Sequence, residues 1–241
     1  MIKAAADLHI HSCLSPCASS DMTPNNIVLM SKLKGLDVIA VCDHNHTGNI
    51  KVISQLAVSQ GILLLPGIEL ETSEEIHLLC YFPTISSIEQ LQSELNQYYQ
   101  YIPNREDIFG PQWVVDVQDE PVEKIDFLLT ASTTLDLYQA VELVRGLGGV
   151  PVPAHVDRES YSILSNLGSV PADLGLNTLE VSRYTTRERF VQDHPEYMDR
   201  RFLTSSDAHD LSMILERSFF MDLEERSIAC LIEKLKGGLL C

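Results

Sequence analysis

The feature that most constrains this chain is its rhythm: short apolar or β-branched runs alternate with helical patterns along most of its length. Asp37 to Cys42 is followed by a helical stretch from Ile50 to Gln60, then by the runs Ile62 to Leu70 and Ile76 to Phe82. Repeated strand and helix units predict a mostly parallel sheet. The runs are nearly continuous in apolar residues, as strands covered on both faces must be. A first strand at Ala4 to Leu8 and later ones at Gly149 to Pro153, Leu176 to Val181 and Arg201 to Thr204 bring the expected number to about seven. That is too many for a flavodoxin-sized unit and close to a closed α/β barrel. A chain of 241 residues folded as one such domain can bury roughly 70–75% of its unfolded surface.

Helix boundaries are marked locally. Thr23-Pro24 reads as a cap followed by a first-turn proline, leading into Asn25 to Lys34 and stopped by Gly35. The stretch Thr134 to Leu147, closed by Gly148-Gly149, is similar. Residues 83–130 break the rhythm with Tyr98, Tyr99 and Tyr101, a Pro/Asn/Gly loop and the strand-like Trp113 to Val117. This segment is expected as an insertion within a single domain spanning 1–241, either a lid over one end or an ordinary surface excursion. Its aromatic residues are open to two readings, a base-stacking wall or simple packing.

The histidines end strands. In Asp7-Leu8-His9-Ile10-His11, residues two apart on a strand point to one side, so His9 and His11 can converge on one metal. Asp43-His44 closes the next strand and Glu69 the third; His77 lies in the fourth, His155 ends the fifth, and Asp207-Ala208-His209 follows the last. Barrel enzymes carry their sites on the C-terminal ends of strands, so these residues would share one rim. A lone His-x-His is weak evidence. Six histidines and three carboxylates at strand ends need partners, and divalent metals are the usual ones. Glu69 suits a bridge between two ions, and a polynuclear metal site is expected.

These residues also carry a resemblance. Asp7-Leu8-His9-Ile10-His11-Ser12, Asp43-His44-Asn45, Gly67-Ile68-Glu69, Pro153-Ala154-His155 and Ser206-Asp207-Ala208-His209 resemble, in order and spacing, the motifs of the polymerase and histidinol phosphatase (PHP) family. The resemblance implies a distorted (β/α)7 barrel of mostly parallel strands. It also implies two or three divalent ions (zinc, manganese or iron) serving phosphoester hydrolysis. Residue by residue, it assigns His9, His11, Glu69 and Asp207 to one metal. Glu69 then bridges to a second held by His155 and His77, and the third takes His44 and His209. The remaining first-motif ligand, usually His or Asp, is here Cys17, whose thiolate would favour a soft metal; alternatives are Asp21 or a weak third site. Glu69, Asp207, His44 and His209 are the residues expected to carry catalysis, His209 or His44 as proton donor to the leaving oxygen.

Around that core, Arg158 and Arg183 suit a bidentate phosphate clamp or, equally, surface ion pairs. His46 reads as a substrate contact or a polar loop residue. Asp7 and Asp43 read as orienters of the neighbouring imidazoles. The expected activity is hydrolysis of a small phosphorylated metabolite, such as a nucleotide or histidinol phosphate, by a metal-activated water. Two alternatives stand beside it, an amidohydrolase-type hydrolase and a non-catalytic, regulatory metal-binding protein.

Composition narrows the partners. With 17 Lys and Arg against 34 Asp and Glu, the net charge of −17 argues against long nucleic acid and acidic membranes, which need a basic footprint. No apolar run reaches the roughly 18 residues needed to span a bilayer, and the start lacks an export signal. The six cysteines are dispersed, unlike a disulfide framework. Together these predict a cytoplasmic protein with buried free thiols and no membrane partner.

Overall fold

The computed structural model describes residues 1–238, so Cys241, counted among the dispersed thiols, lies outside the described residues. The apolar runs form strands β1 (Ile2–Ile10), β2 (Val38–Val41), β3 (Leu63–Leu64), β4 (Gly67–Glu71), β5 (His77–Tyr81), β6 (Trp113–Val115), β7 (Pro121–Lys124), β8 (Val150–Pro153), β9 (Thr178–Ser182), β10 (Arg201–Ser205) and β11 (Phe220–Leu223). Between them lie α1 (Pro24–Leu33), α2 (Ile50–Gln60), α3 (Ile85–Leu95), α4 (Glu106–Phe109), α5 (Leu137–Gly146), α6 (Ile163–Leu167), α7 (Arg187–Asp193) and α8 (Ile228–Lys236). Helix starts follow the local chemistry. Thr23 accepts from the Asn26 amide with Pro24 behind it, and Thr84/Ser87 and Asp136/Gln139 form reciprocal caps on α3 and α5.

The strands form four hydrogen-bonded sheets, ordered β11-β1-β2-β3, β4-β5-β8, β9-β10 and β6-β7. β1, β2 and β3 run parallel, as do β9 and β10. The expectation of a mostly parallel sheet needs correction, because β5 is antiparallel to both β4 and β8, and β11 to β1. The reason is length: only Thr72 to Ile76 connects β4 to β5, and a parallel crossover needs a dozen or more residues. The run Ile62 to Leu70 is also two strands, split at Leu65-Pro66. Single bridges join the sheets, His44 to Glu69 and Ile10 to Ala208, with the Val156 amide donating to the Glu180 carbonyl at 2.8 Å. The fold is mixed α/β, and among the described residues no continuous ladder closes a barrel.

Successive strand residues enter two different cores. Ala4, Ala6, Leu8, Val38, Ala40 and Cys42 pack with Leu79, Tyr81, Val152 and α8. Ala5, Ile10, Ile39 and Val41 pack against the helices. Burial on both faces is what made these runs continuous in the sequence. Gly67 allows β4 to approach β2, since a Cβ there would meet Cys42 Sγ at 2.6 Å. Cys13, Cys42 and Cys80 are buried free thiols, whereas Cys17 is exposed.

Residues 83–130 contribute α3, α4 and the β6–β7 hairpin, with a small core of Leu14, Val114, Ile125 and Leu129. The segment is tied to the loops at the strand ends. Asn45 Nδ2 donates to the Leu129 and Ala131 carbonyls at 2.9 and 3.0 Å. Asn49 Nδ2 donates to the Trp113 carbonyl at 3.1 Å. Tyr99 and Tyr101 pack on Phe127. No helix among the described residues is long and apolar enough to cross a membrane.

Candidate metal centre

Six histidines and two carboxylates meet at one end of the sheets. His9 and His11 come from the end of β1, and their Nε2 atoms face each other at 3.1 Å. Glu69, in β4 and 1% exposed, sits at the centre: its oxygens lie 3.4 Å from His9 and His11 Nε2, 3.1 Å from His44 Nδ1, 3.0 Å from His77 Nδ1 and 3.4 Å from His155 Nε2. Asp207 Oδ1 lies 3.1 Å from His11 and 3.3 Å from His9. His77 reaches this rim because β5 is reversed: it opens the strand, opposite Glu71, rather than lying within a parallel one. Three residues of the rim, Asn45, His155 and Asp207, have φ of 50°, 29° and 51°, left-handed backbone of the kind that collects at functional sites.

The fit to metal rests on atoms without hydrogen-bond partners. Both Glu69 oxygens, His44 Nδ1 and His155 Nδ1 are buried and make no hydrogen bond, a costly state unless something else meets them. Donor atoms of His9, His11 and Glu69 converge within 4.8 Å, as do those of His44, Glu69 and His77, and of His11, His44 and His209. Nitrogen and carboxylate donors around shared residues suit zinc, manganese or iron. Cys17 belongs to none of these groups, though it lines the same cavity.

Neighbouring groups fix the imidazoles. Glu180 Oε1 and Oε2 accept from His9 Nδ1 at 3.2 and 3.1 Å, and Oε2 also accepts from the His155 amide at 3.0 Å. His11 Nδ1 donates to Ser15 Oγ at 3.0 Å, and Ser15 Oγ donates to Asp43 at 2.7 Å. Both arrangements leave Nε2 facing the cluster. Asp7 instead accepts from the Ser206 and Leu215 amides, so it braces the loop after β10. Glu180 escaped the sequence reading, although a lone charged residue inside the buried run Thr178–Ser182 was a usable signal.

The electrostatics call for cations. Burial opposes charge on His9, yet Glu180, Glu69 and Asp207 hold its imidazole well above the usual range. Burial likewise opposes charge on His77, but Glu69 and Glu71 bring it up to about 9. Glu69 and Asp207 stay well below the usual carboxylate range because the surrounding histidines outweigh burial. His11, by contrast, is pushed down to about 4 by burial and by His209.

Above the cluster opens a cavity of about 410 Å³ lined by Cys17, His44, Glu69, Glu71, His77, Phe109, Leu128, Thr130, Arg158, Tyr161, Asp207 and His209. Arg158 Nη2 donates to Asp207 Oδ2 at 2.6 Å. Tyr161 stacks on His77 at 4.9 Å. Arg183 and His46 as substrate contacts need correction here, and of the two readings of the aromatic residues packing is the one that fits. Arg183 lies away from this cavity, donating to the Met213 carbonyl at 2.8 Å. His46 accepts from the Gly48 amide at 3.0 Å in its own loop and does not line the cavity. The aromatic residues at the mouth are Phe109 and Tyr161, not Tyr98, Tyr99, Tyr101 or Trp113.

No family model matches the chain. An uncharacterised protein of Methanocaldococcus jannaschii is 30% identical over 164 residues, which is 68% of this chain and 18% of that protein. Endonuclease Q of Pyrococcus furiosus, a lesion-specific endonuclease, has a TM-score of 0.72 at 20% identity, over 98% of this chain and 56% of its own. An endonuclease Q bound to a 27-mer duplex with an abasic lesion at the active site gives 0.70 at 19% identity, over 98% and 57%. A protein of Bifidobacterium adolescentis described as a metal-dependent phosphoesterase gives 0.60 at 17%, over 97% and 96%. An amidohydrolase of Chromobacterium violaceum gives 0.63 at 18%, over 96% and 97%. The chain thus spans under a fifth of its curated relative and just over half of endonuclease Q. These likenesses give it the fold of these enzymes. They also overturn the expected partners, a small phosphorylated metabolite with long nucleic acid excluded: endonuclease Q, which shares this fold over 57% of its own length, is seen in complex with a 27-mer duplex substrate.

Proposed function

We propose that this chain is a metal-dependent phosphodiesterase that hydrolyses a nucleic-acid backbone, on a fold that is an imperfect seven-stranded barrel. The observation that carries this reading is Glu69, buried with both oxygens free of hydrogen bonds and ringed by five imidazoles. His9, His11, Glu69 and Asp207 would hold one ion; Glu69 with His77 and His155 a second; His44 and His209, with Cys17 nearby, a third. Divalent ions bound there would polarise phosphoryl oxygens and bring the pKa of a water near neutrality. Arg158, anchored on Asp207 Oδ2 and half-exposed, presents further N–H groups to a phosphate oxygen. Where the third ion is absent, His209, 26% exposed at its side chain, can meet the leaving oxygen and donate a proton; His44, at 7%, is less accessible.

The test is cleavage of single-stranded and duplex oligonucleotides, with and without an abasic site, by the purified protein supplied with manganese, zinc or iron. Metal-dependent cleavage is expected, reduced at least about 100-fold in Glu69→Gln and Asp207→Asn. Absence of cleavage in every combination, or unchanged turnover in both variants, overturns the reading. A second reading, amide hydrolysis, draws on the amidohydrolase likeness; no lysine lines the cavity to serve as a bridging ligand, and an amide panel in the same assay separates the two.

A further inference from the structure

A second concave surface runs along the outside of β10. That strand pairs with β9, whereas β11 pairs with β1, so a seam opens between β10 and β11. Two adjoining cavities occupy it, of about 410 and 460 Å³, and they share Arg187, Phe202 and Phe219. Arg183 marks the end nearest the metal cluster, just after Ser182, which pairs with Ser205. Arg200 and Arg201 mark the far end, where Arg201 pairs with Thr178. Along β10 this is a span of about 13 Å at the usual rise per residue.

The charge of this groove is unlike that of the rest of the chain. Its lining carries Arg183, Arg187, Arg200, Arg201 and Lys234 against Glu188 and Asp222. The four groove arginines bond to neutral acceptors: Arg183 to the Met213 carbonyl, Arg187 to the Met198 carbonyl, Arg200 to Asn177 Oδ1 and Arg201 to the Gly237 carbonyl. Glu188 and Asp222 also line the groove, yet among the described residues none of the four guanidiniums forms an ion pair with any carboxylate. Each keeps N–H groups to spare. In a chain of net charge −17, arginines collected without carboxylate partners repel one another unless an anion joins them. Aromatic rings lie among them: Arg187 stands over Phe202 at 5.8 Å, and Phe220 is 40% exposed.

We infer that this groove binds the sugar–phosphate backbone of a nucleic-acid strand as it leaves the metal cluster. The choice of nucleic acid among polyanions rests on the phosphodiesterase reading. A duplex strand carries one phosphate per 3.4 Å of axis, so about four phosphates fall within a 13 Å span, matching four arginines. Net charge alone argued against such a basic footprint.

Binding tests the groove apart from catalysis. The purified protein, with its metals retained, is titrated with phosphorothioate-linked oligonucleotides of about 16 nucleotides, single-stranded and duplex, across a salt series. The triple variant Arg187→Gln, Arg200→Gln, Arg201→Gln is expected to bind at least about tenfold more weakly, with a salt slope smaller by about 2 to 3. The corresponding triple Lys variant keeps the charge and is expected to retain the slope. Unchanged affinity in the Gln variant, or equal loss in the Lys variant, overturns the inference. So does tighter binding of poly-glutamate than of an oligonucleotide of equal charge, which would make the groove a seat for an acidic protein segment. Loss of binding in the Gln variant beside a wild-type protein that cleaves nothing would support the groove while removing the phosphodiesterase reading.

Discussion

The floor of the cavity and the collar of loops around it treat buried polar groups in opposite ways. In the collar, Asp43 accepts from the Ser12 amide, Ser12 Oγ and Ser15 Oγ at 2.6–2.7 Å, and Asn45 serves three backbone groups, among them the Glu71 amide at 2.8 Å. On the floor, Glu69 is equally buried and accepts nothing. A satisfied buried carboxylate holds shape, whereas an unsatisfied one among imidazoles waits for a cation. The difference predicts two kinds of mutational response.

The largest effect belongs to the collar. Asp43→Ala leaves three donors without an acceptor and is expected to lower unfolding free energy by about 3–5 kcal/mol without metal, read by urea unfolding, and by somewhat more with metal, because Ser15 then orients His11 less firmly. A loss that vanished on adding metal would move Asp43 to the floor. Next comes the floor itself. Free metal at about 100 times its dissociation constant is expected to stabilise the wild type by about 3 kcal/mol, and Asp207→Asn to lose most of that gain. An equal gain in Asp207→Asn would remove it from the ligands. Glu180 lies between the two regions: it is part of the collar by burial but acts on His9. Glu180→Gln is expected to weaken metal binding about 10–100-fold, measured by competition with a chelator; unchanged affinity would make it a purely structural residue.

The same division explains what the sequence disclosed. His9 and His11 were legible because two-residue spacing at a strand end sends side chains to one side, and Asp207 and His209 because they follow directly on a strand. Glu69 was legible because a carboxylate interrupts an otherwise apolar run. The reversal of β5 was legible too, in the five residues between Glu71 and His77, but the strand–helix rhythm hid it. Glu180 was passed over because Thr178–Ser182 reads as core. Arg183 and His46 failed for a different reason: residue type and proximity in sequence say nothing of which way a loop turns. Net charge failed most broadly, because it averages over the whole surface and says nothing of how the cations are placed on it. Asn45, singled out only as a motif residue, proves to be the knot between β4 and the 83–130 segment.

The smallest predicted effect asks whether that segment is collar alone. Tyr99 Oη donates to the Asn45 carbonyl at 2.6 Å and accepts from Gln92 Nε2 at 2.7 Å, while its ring packs on Phe127 at 4.6 Å. Burial pushes the phenol above its usual range, the Gln92 donor opposing, so the hydroxyl stays a donor at every pH where the protein is handled. Tyr99→Phe keeps the ring packing and removes both hydrogen bonds, so unfolding free energy is expected to fall by about 1 kcal/mol. Metal affinity is expected to stay unchanged, because no Tyr99 atom reaches the histidines. Should metal binding weaken together with stability, the tie through Asn45 would be transmitting the position of the insertion to His44 and Glu69, and the collar would be tuning the floor rather than merely enclosing it.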